Sequence, residues 1–240
     1  MRWEQGVVTA VLLVALLMGT SRAQLKAGCK METLRACGDD FLPYAQKTQL
    51  ETSAALYEKT CPNLKQQIAC CMKFVNDCME NVPKVASTLF LDAFKETLDG
   101  ICTAASKEHE VYDKAIGCLN SVGAKLNSCW RTLRGTVQKA VVKAPTSEVL
   151  HHTCCSYHDL LRCADQSLAP CESTGGKELV LGVLQRVFGG AVNLVCGDYA
   201  KASEACKALP KLPSLSANDR KIENYIEVLA EAAITFGRKN

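Results

Sequence analysis

Apolar residues recur at intervals of three and four along most of the chain, the spacing that puts side chains on one face of a helix. These stripes run from Leu50 to Cys61, Leu64 to Val82, Val85 to Ile101, Val111 to Val122, Leu126 to Val141 and Leu150 to Ala164. Pro62 is expected to end the first stripe and Pro83 the second, because a helix interior needs the N–H that proline lacks. No segment shows the strict alternation of a strand. The pattern therefore predicts an all-α protein.

Three further helices are predicted after these stripes. Leu179 to Val195 is apolar almost all round and is predicted to be the most buried helix. A short helix is expected from Ala200 to Leu209, before Pro210. The last helix, which follows Ser216, would turn an apolar face inward (Ile222, Ile226, Leu229, Ala233 and Phe236). The fold expected is an array of about eight helices.

The N-terminus has the form of a secretory signal peptide. Arg2 precedes an apolar run from Val7 to Met18, and Ser21 and Ala23 are small residues at the positions that signal cleavage requires. Residues 1–23 are therefore predicted to be removed, which leaves a secreted, extracellular chain. The run is too short to span a bilayer, and no later stretch is expected to anchor the chain.

Fifteen cysteines in 240 residues are the unusual feature of the composition. In a secreted chain they are predicted to form disulfide bonds. An odd number leaves one thiol free, which predicts either a monomer or a dimer linked through that cysteine. Spacing alone leaves the pairing open. The framework consists of Cys29, Cys37, Cys61, Cys70, Cys71, Cys78, Cys102, Cys118, Cys129, Cys154, Cys155, Cys163, Cys171, Cys196 and Cys206.

The cysteine spacing repeats along the chain. A gap of 8 or 11 residues followed by one of 24 or 25 occurs in four groups of three cysteines. The repeat can also be aligned in a second register, in which the adjacent pairs Cys70-Cys71 and Cys154-Cys155 are equivalent. Such repetition favours stacked helical hairpins held by disulfides. We predict a cysteine-rich domain of four such modules over residues 24–210, with residues 211–240 forming a C-terminal helix outside the disulfide framework.

The segment from Cys154 to Asp159 resembles the active-site helix of secreted phospholipases A2. The resemblance would make His158 the general base and Asp159 a calcium ligand. However, Cys163 follows His158 by five residues instead of three. The stretch where the family has its Gly-rich calcium loop holds only Gly135. A phospholipase A2-like hydrolase is therefore a remote alternative, and no catalytic residue is predicted.

A second candidate for chemistry is a zinc site. His151, Cys155 and His158 fall on one face of a helix and are suitable ligand types. Because an oxidised cysteine is a poor zinc ligand, we predict no metal and no cofactor. The chain also lacks a G-x-S-x-G nucleophile motif and a phosphate-binding loop. These observations favour a protein that is not an enzyme.

Charge is close to balanced overall, with a formal net charge of +3, and gives no indication of a nucleic-acid partner. Locally, however, no acidic residue lies between Asp113 and Glu148. The helix in this stretch is predicted to carry a basic face formed by Arg131, Arg134, Lys139 and Lys143. This face is a candidate site for an acidic extracellular protein, a sulfated glycan or an anionic lipid surface. The alternative is an ordinary solvated helix surface.

Three cysteine motifs resemble those of the secreted, cysteine-rich helical proteins of arthropods and nematodes that are classed as a domain of unknown function. The motifs are Cys29-x2-Glu32-x4-Cys37-Gly38-x2-Phe41-Leu42, Leu56-x4-Cys61-Pro62-x-Leu64 and Cys154-Cys155-x-Tyr157-x2-Leu160-x2-Cys163. The resemblance extends from Cys29 to Cys206 and implies secretion without an enzymatic signature. Some tick salivary proteins of this size and cysteine content are anticoagulants that impair activation of factor V by factor Xa. The resemblance supplies no binding residues.

The function predicted from the sequence is therefore extracellular binding. The first hypothesis is a salivary-type effector that inhibits host haemostasis, with the basic face occupying an acidic site on a coagulation factor. The second is a haemolymph or other extracellular carrier of small apolar ligands, since the last helices are apolar enough to line a cavity.

Overall fold

The computed structural model describes residues 25–199 and 204–236. The predicted signal peptide and the first residues of the predicted helix 200–209 lie outside these ranges. Within them the chain forms nine α-helices and no strand, which confirms the all-α prediction. The helices are α1 (Met31–Arg35), α2 (Ala54–Cys78), α3 (Asn81–Ile101), α4 (Lys107–Ser121), α5 (Gly123–Lys143), α6 (Thr146–Leu168), α7 (Gly176–Val195), α8 (Glu204–Ala208) and α9 (Tyr225–Ala233).

The predicted helix end at Pro62 is wrong, because α2 continues through it to Cys78. Pro62 lies on the exposed side of the helix, whereas Cys61 and Leu64 are buried. An interior proline costs about 3 kcal/mol. Burial of one continuous apolar face on both sides of Pro62 offsets this cost. Pro83, in contrast, lies in the first turn of α3, where the missing N–H would have no helical partner in any case.

Helix α7 is less buried than its composition predicted. Only 22% of its most apolar window is buried. Among the described helices, α7 is the one that is long and apolar enough to cross a membrane by length and composition. The prediction that no stretch after the signal peptide is long and apolar enough to anchor the chain is therefore wrong for α7 on length and composition alone. The helix packs against α3, α4 and α6, and many of its apolar side chains are half-buried.

The disulfides reveal an internal repeat. The first unit contains Cys29–Cys78, Cys37–Cys70 and Cys61–Cys102, with sequence separations of 49, 33 and 41. The second contains Cys118–Cys171, Cys129–Cys163 and Cys154–Cys196, with separations of 53, 34 and 42. In both units the first cysteine pairs with the fifth, the second with the fourth and the third with the sixth. The described chain therefore contains two equivalent six-cysteine units, Cys29–Cys102 and Cys118–Cys196, and residues 103–117, which include most of α4, join them.

This pairing decides between the two sequence registers. The second register is wrong, because Cys70 is equivalent to Cys163 and Cys61 to Cys154. Instead, the first and second groups of three cysteines form the first unit, and the third and fourth groups form the second unit. A seventh bridge, Cys155–Cys206, has no counterpart in the first unit. The remaining cysteine, Cys71, is free and buried.

The repeat places two equivalent helices in contact. α3 ends directly before Cys102, and α7 ends directly before the equivalent Cys196. The two helices pack against each other, and the first half of α3 faces the second half of α7. They are therefore antiparallel, as expected for two units related by an approximate twofold axis that passes between them.

The C-terminal segment completes the core without a disulfide. After α8 ends at Ala208 the chain is irregular until Asn224, whose side chain caps α9 by accepting a hydrogen bond from the Glu227 N–H. The last helix therefore begins at Tyr225, later than the predicted start after Ser216. α9 packs against α1, α3, α5 and α6. Tyr225 and Val228 are fully buried and belong to the same apolar core as α1 to α7. The boundary between residues 210 and 211 stays a prediction.

Candidate functional site

Two apolar cavities lie along the contact between α3 and α7. The first has a volume of about 120 Å³ and the second a volume of about 60 Å³. The first half of α3 and the second half of α7 line the first cavity. The second half of α3 and the first half of α7 line the second cavity. Both cavities are therefore built at the junction of the two six-cysteine units.

The first cavity has an apolar wall in which the Ser87 and Thr153 hydroxyls already make hydrogen bonds within the protein. The Ser87 hydroxyl donates to the Met79 sulfur over 3.5 Å, and the Thr153 hydroxyl donates to the Val149 carbonyl over 2.8 Å. The free thiol of Cys71 also lines this cavity. Burial raises the pKa of this thiol to about 12, so it is uncharged at neutral pH. None of the lining residues carries a charge.

Helix α9 supplies one side of the first cavity. Its apolar face and the turn that follows it contribute Ile226, Leu229, Ala230, Ala232, Ala233 and Phe236. Polar contacts position the start of this helix. The Tyr225 N–H donates to Asp39 over 2.7 Å, and Arg35 pairs with Glu227. Four residues of the apolar stripe predicted for the last helix thus line the cavity, whereas the fifth, Ile222, precedes the helix.

The second cavity is smaller and contains an unpartnered polar group. Thr97 lines it, is 4% exposed, and has a hydroxyl without a hydrogen-bond partner. Tyr44, Tyr57 and Tyr112 also line this cavity, and two of their hydroxyls donate to groups outside the lining. Tyr44 donates to the Asn120 side chain over 3.1 Å, and Tyr112 donates to the Glu51 carbonyl over 2.9 Å.

Aromatic rings separate the two cavities. Phe90 and Phe188 line the first cavity, whereas Phe94 and Trp130 line the second. The ring centroid of Phe90 lies 5.1 Å from that of Phe94 and 5.1 Å from that of Phe188. The ring centroids of Trp130 and Phe188 are 6.1 Å apart. Edge-to-face contacts at these distances stabilise the partition.

The two cavities are equivalent by the internal repeat. In the second cavity, α3 contributes the residues eight, five, four and one positions before Cys102, which are Phe94, Thr97, Leu98 and Ile101. In the first, α7 contributes the residues at the same positions before Cys196, which are Phe188, Ala191, Val192 and Val195. Cys71 in the first cavity likewise corresponds to Ala164 in the second, because each follows an equivalent cysteine. Among these equivalent residues of α3 and α7, the clearest chemical difference is that the second cavity has Thr97 where the first has Ala191.

The structure divides the predicted basic face. Arg134 donates to the Glu223 carbonyl over 2.6 Å and stacks over the Tyr225 ring, and Lys143 pairs with Asp219 at 2.7 Å. The segment before α9 therefore covers these two residues. Arg131 is exposed and Lys139 half-exposed, and neither makes an ion pair within the described part of the chain. The outward basic surface is narrower than the sequence pattern predicted.

The residues of the two chemical motifs have structural partners. The His158 ring nitrogen lies 3.2 Å from the Tyr199 carbonyl, and Asp159 pairs with Arg162 at 2.5 Å. His151 stacks on the Tyr199 ring at 4.1 Å, and Cys155 is oxidised in its bridge to Cys206. No group of three or more potential metal ligands occurs among the described residues.

Comparison with known proteins identifies one family. A family model described as a protein of unknown function, DUF1397, matches residues 44–192, which is more than half of the chain. The matched region includes most of α3 and α7 and therefore much of both cavities. No curated protein matches the chain, and no solved structure does.

Proposed function

We propose that this chain, which belongs to the DUF1397 family of proteins of unknown function, is an extracellular binding protein that carries a small neutral apolar ligand in its first cavity. The observation behind this proposal is the cavity itself. Its volume of about 120 Å³ approaches the roughly 150 Å³ of an engineered apolar cavity that stays dry and binds benzene. An apolar ligand of this size would gain the contacts that an empty cavity lacks.

The cavity wall favours a neutral ligand. A buried charge without a partner is strongly unfavourable, and none of the lining residues carries a compensating charge. The hydroxyls of Ser87 and Thr153 already donate within the protein. A hydrocarbon or aromatic group therefore fits this wall better than a carboxylate or an amine does.

The disulfides support an extracellular setting. Seven bridges are typical of proteins that work outside the cell, where thiols are oxidised. Together with the signal peptide predicted over residues 1–23, they favour secretion. We propose a role in haemolymph or a comparable body fluid, without catalysis.

Filling the cavity provides the test. Ala191 lines the first cavity, so Ala191→Leu should occupy part of its volume and preserve folding. Ala69→Leu is the matched control, because Ala69 lies on the exposed side of α2. Calorimetric titration of the delipidated, oxidised protein with benzene should show saturable binding that Ala191→Leu weakens at least about tenfold. Equal affinity in both variants would contradict the proposal, and mass spectrometry before delipidation would identify a natural ligand.

A second candidate function rests on the uncovered basic residues. Arg131 and Lys139 leave positive charge on one side of α5. We propose as the alternative that this surface binds an acidic extracellular partner, such as a coagulation factor, an anionic lipid or a sulfated glycan. By resemblance, the effect would be that of a tick salivary anticoagulant that hinders activation of factor V by factor Xa.

Thrombin generation in plasma triggered with tissue factor tests this alternative. The oxidised protein should lengthen the lag, and the double variant Arg131→Glu/Lys139→Glu should abolish the effect. The control is Lys114→Glu/Lys125→Glu, which reverses two other exposed charges of the same acid-free stretch. Arg131 and Lys139 suit the test better than Arg134 and Lys143, because the contacts of the latter two hold the C-terminal segment. An unchanged lag would exclude the anticoagulant function.

A further inference from the structure

We infer that the second cavity is a second ligand site, which takes a small apolar molecule bearing one hydroxyl or carbonyl group. The inference rests on the proposed function, since it assigns a separate ligand to the equivalent cavity. One chain would then hold two ligands of different chemistry, one in each of the two cavities at the junction of the six-cysteine units.

The internal repeat is the first argument. The helices α3 and α7 present residues at identical positions relative to Cys102 and Cys196, one set to each cavity. A cavity that forms twice from equivalent positions is a property of the repeated architecture rather than an isolated packing defect. Interiors of natural proteins are close-packed, and voids larger than a water molecule are few.

The hydroxyl of Thr97 is the second argument. Three buried side-chain polar atoms of the described residues lack a hydrogen-bond partner, and of these residues Thr97 alone lines the second cavity. A buried hydroxyl without a hydrogen-bond partner destabilises the folded protein. A ligand that donates to or accepts from this hydroxyl would offset this destabilisation. Its equivalent in the first cavity, Ala191, has no polar atom to satisfy.

The remaining lining limits what the ligand is. A bound water requires two to four polar partners. The hydroxyls of Tyr44 and Tyr112 already donate to other acceptors. A molecule with a short hydrocarbon body and one polar group matches the unpartnered Thr97 hydroxyl and the largely apolar remainder better than water does. With about 60 Å³, the cavity suits a body smaller than a benzene ring.

The aromatic partition makes the two sites separable. Phe94 and Trp130 close the second cavity on the side where Phe90 and Phe188 close the first. A ligand in one cavity therefore meets these rings before it meets the other ligand. Each site should respond to changes in its own lining alone.

Methyl-resolved NMR titration distinguishes the sites. Leu98 reports on the second cavity, and Val192 reports on the first from the equivalent position. The probes are ethanol and chloroethane, which are both smaller than benzene and differ chiefly in the polar group. We expect ethanol to shift the Leu98 methyls along a saturable curve. Thr97→Val should weaken this binding about fivefold, without an effect on chloroethane. Ala191→Leu should leave the Leu98 response unchanged.

Each other outcome is decisive. If benzene binds beside Val192 but neither probe shifts Leu98, the second site does not exist and the carrier function stands. If Ala191→Leu abolishes both responses, the cavities form one site and the inference is overturned. If Thr97→Val weakens both probes equally, the hydroxyl does not select the ligand. If no probe binds in either cavity, the carrier function and the second site fail together.

Discussion

Arg35 in α1 and Glu227 in α9 form a two-pronged ion pair across 192 residues of sequence. The guanidinium Nε and Nη2 atoms each donate to one carboxylate oxygen over 2.6 Å. The Glu227 side chain is 1% exposed, whereas that of Arg35 is 52% exposed. The disulfides of the described chain reach no further than Cys206, so this pair is one of the contacts that hold α9 over the first cavity.

Arg35→Ala is expected to destabilise the protein markedly, because it leaves the buried Glu227 carboxylate without its cation. Thermal unfolding at pH 7, followed by circular dichroism, should show a clearly lower Tm. Arg162→Ala removes an exposed pair with Asp159 and should leave the Tm close to that of the wild type. Equal Tm values for the two variants would show that the Arg35–Glu227 pair does not hold α9.

Two glycines of α5 should respond in opposite ways to alanine. A Cβ at Gly123 would lie 2.0 Å from the Thr48 carbonyl oxygen and 2.8 Å from the Tyr44 ring. Gly123→Ala should therefore cost at least about 2 kcal/mol. A Cβ at Gly135 would meet nothing within 4 Å, so Gly135→Ala should stabilise the helix by up to about 1 kcal/mol. Urea unfolding measures both changes, and a stable Gly123→Ala variant would contradict the close approach.

Acid should weaken the contact between α5 and the C-terminal segment. The Lys143 ammonium and the Ser216 backbone lower the pKa of Asp219 to about 2, against about 3.9 in an unfolded chain. A depressed carboxylate pKa contributes stability above pH 4 that is lost as the pH falls toward 2. Lys143→Gln should thus lower the Tm much more at pH 7 than at pH 2. Lys139→Gln serves as the control, and a constant difference between Lys143→Gln and wild type across this range would contradict the assignment.

Cys71 should be inert in the folded protein. Its thiol is fully buried, and the pKa of about 12 leaves almost no thiolate to react. We expect a thiol-specific disulfide reagent to modify no cysteine of the native protein and one per chain in 6 M guanidinium chloride. Non-reducing electrophoresis should accordingly show a monomer. Rapid labelling of the native protein, or a covalent dimer, would contradict this prediction.

Much of the secondary structure follows from the apolar periodicity, since helices that bury one face must repeat their apolar residues. The continuation of α2 through Pro62 could not be predicted, because the apolar face whose burial offsets the proline packs against residues far away in sequence, as the Cys61–Cys102 bridge illustrates. The segment that covers Arg134 and Lys143 likewise lies about 80 residues further along the chain. Long-range contacts of this kind leave no local signal.

The cavities were harder to predict from the sequence than the helices. The all-round apolar character of α7 indicated burial, but the helix uses this character to line two cavities. Thr97 is a polar residue three positions after Phe94 and one before Leu98, on the apolar side of α3. That interruption is the signal for the second cavity. A cavity's volume depends on fractions of an ångström in packing, which periodicity does not encode.

The repeated disulfide pattern has an evolutionary consequence. Two identical subunits around a true twofold axis would carry identical cavities, and any substitution would appear in both at once. Because both units lie in one polypeptide, each can change alone, as the difference between Thr97 and Ala191 shows. The covalent connection of the two units thus allows the lining of each cavity to differ from that of its equivalent.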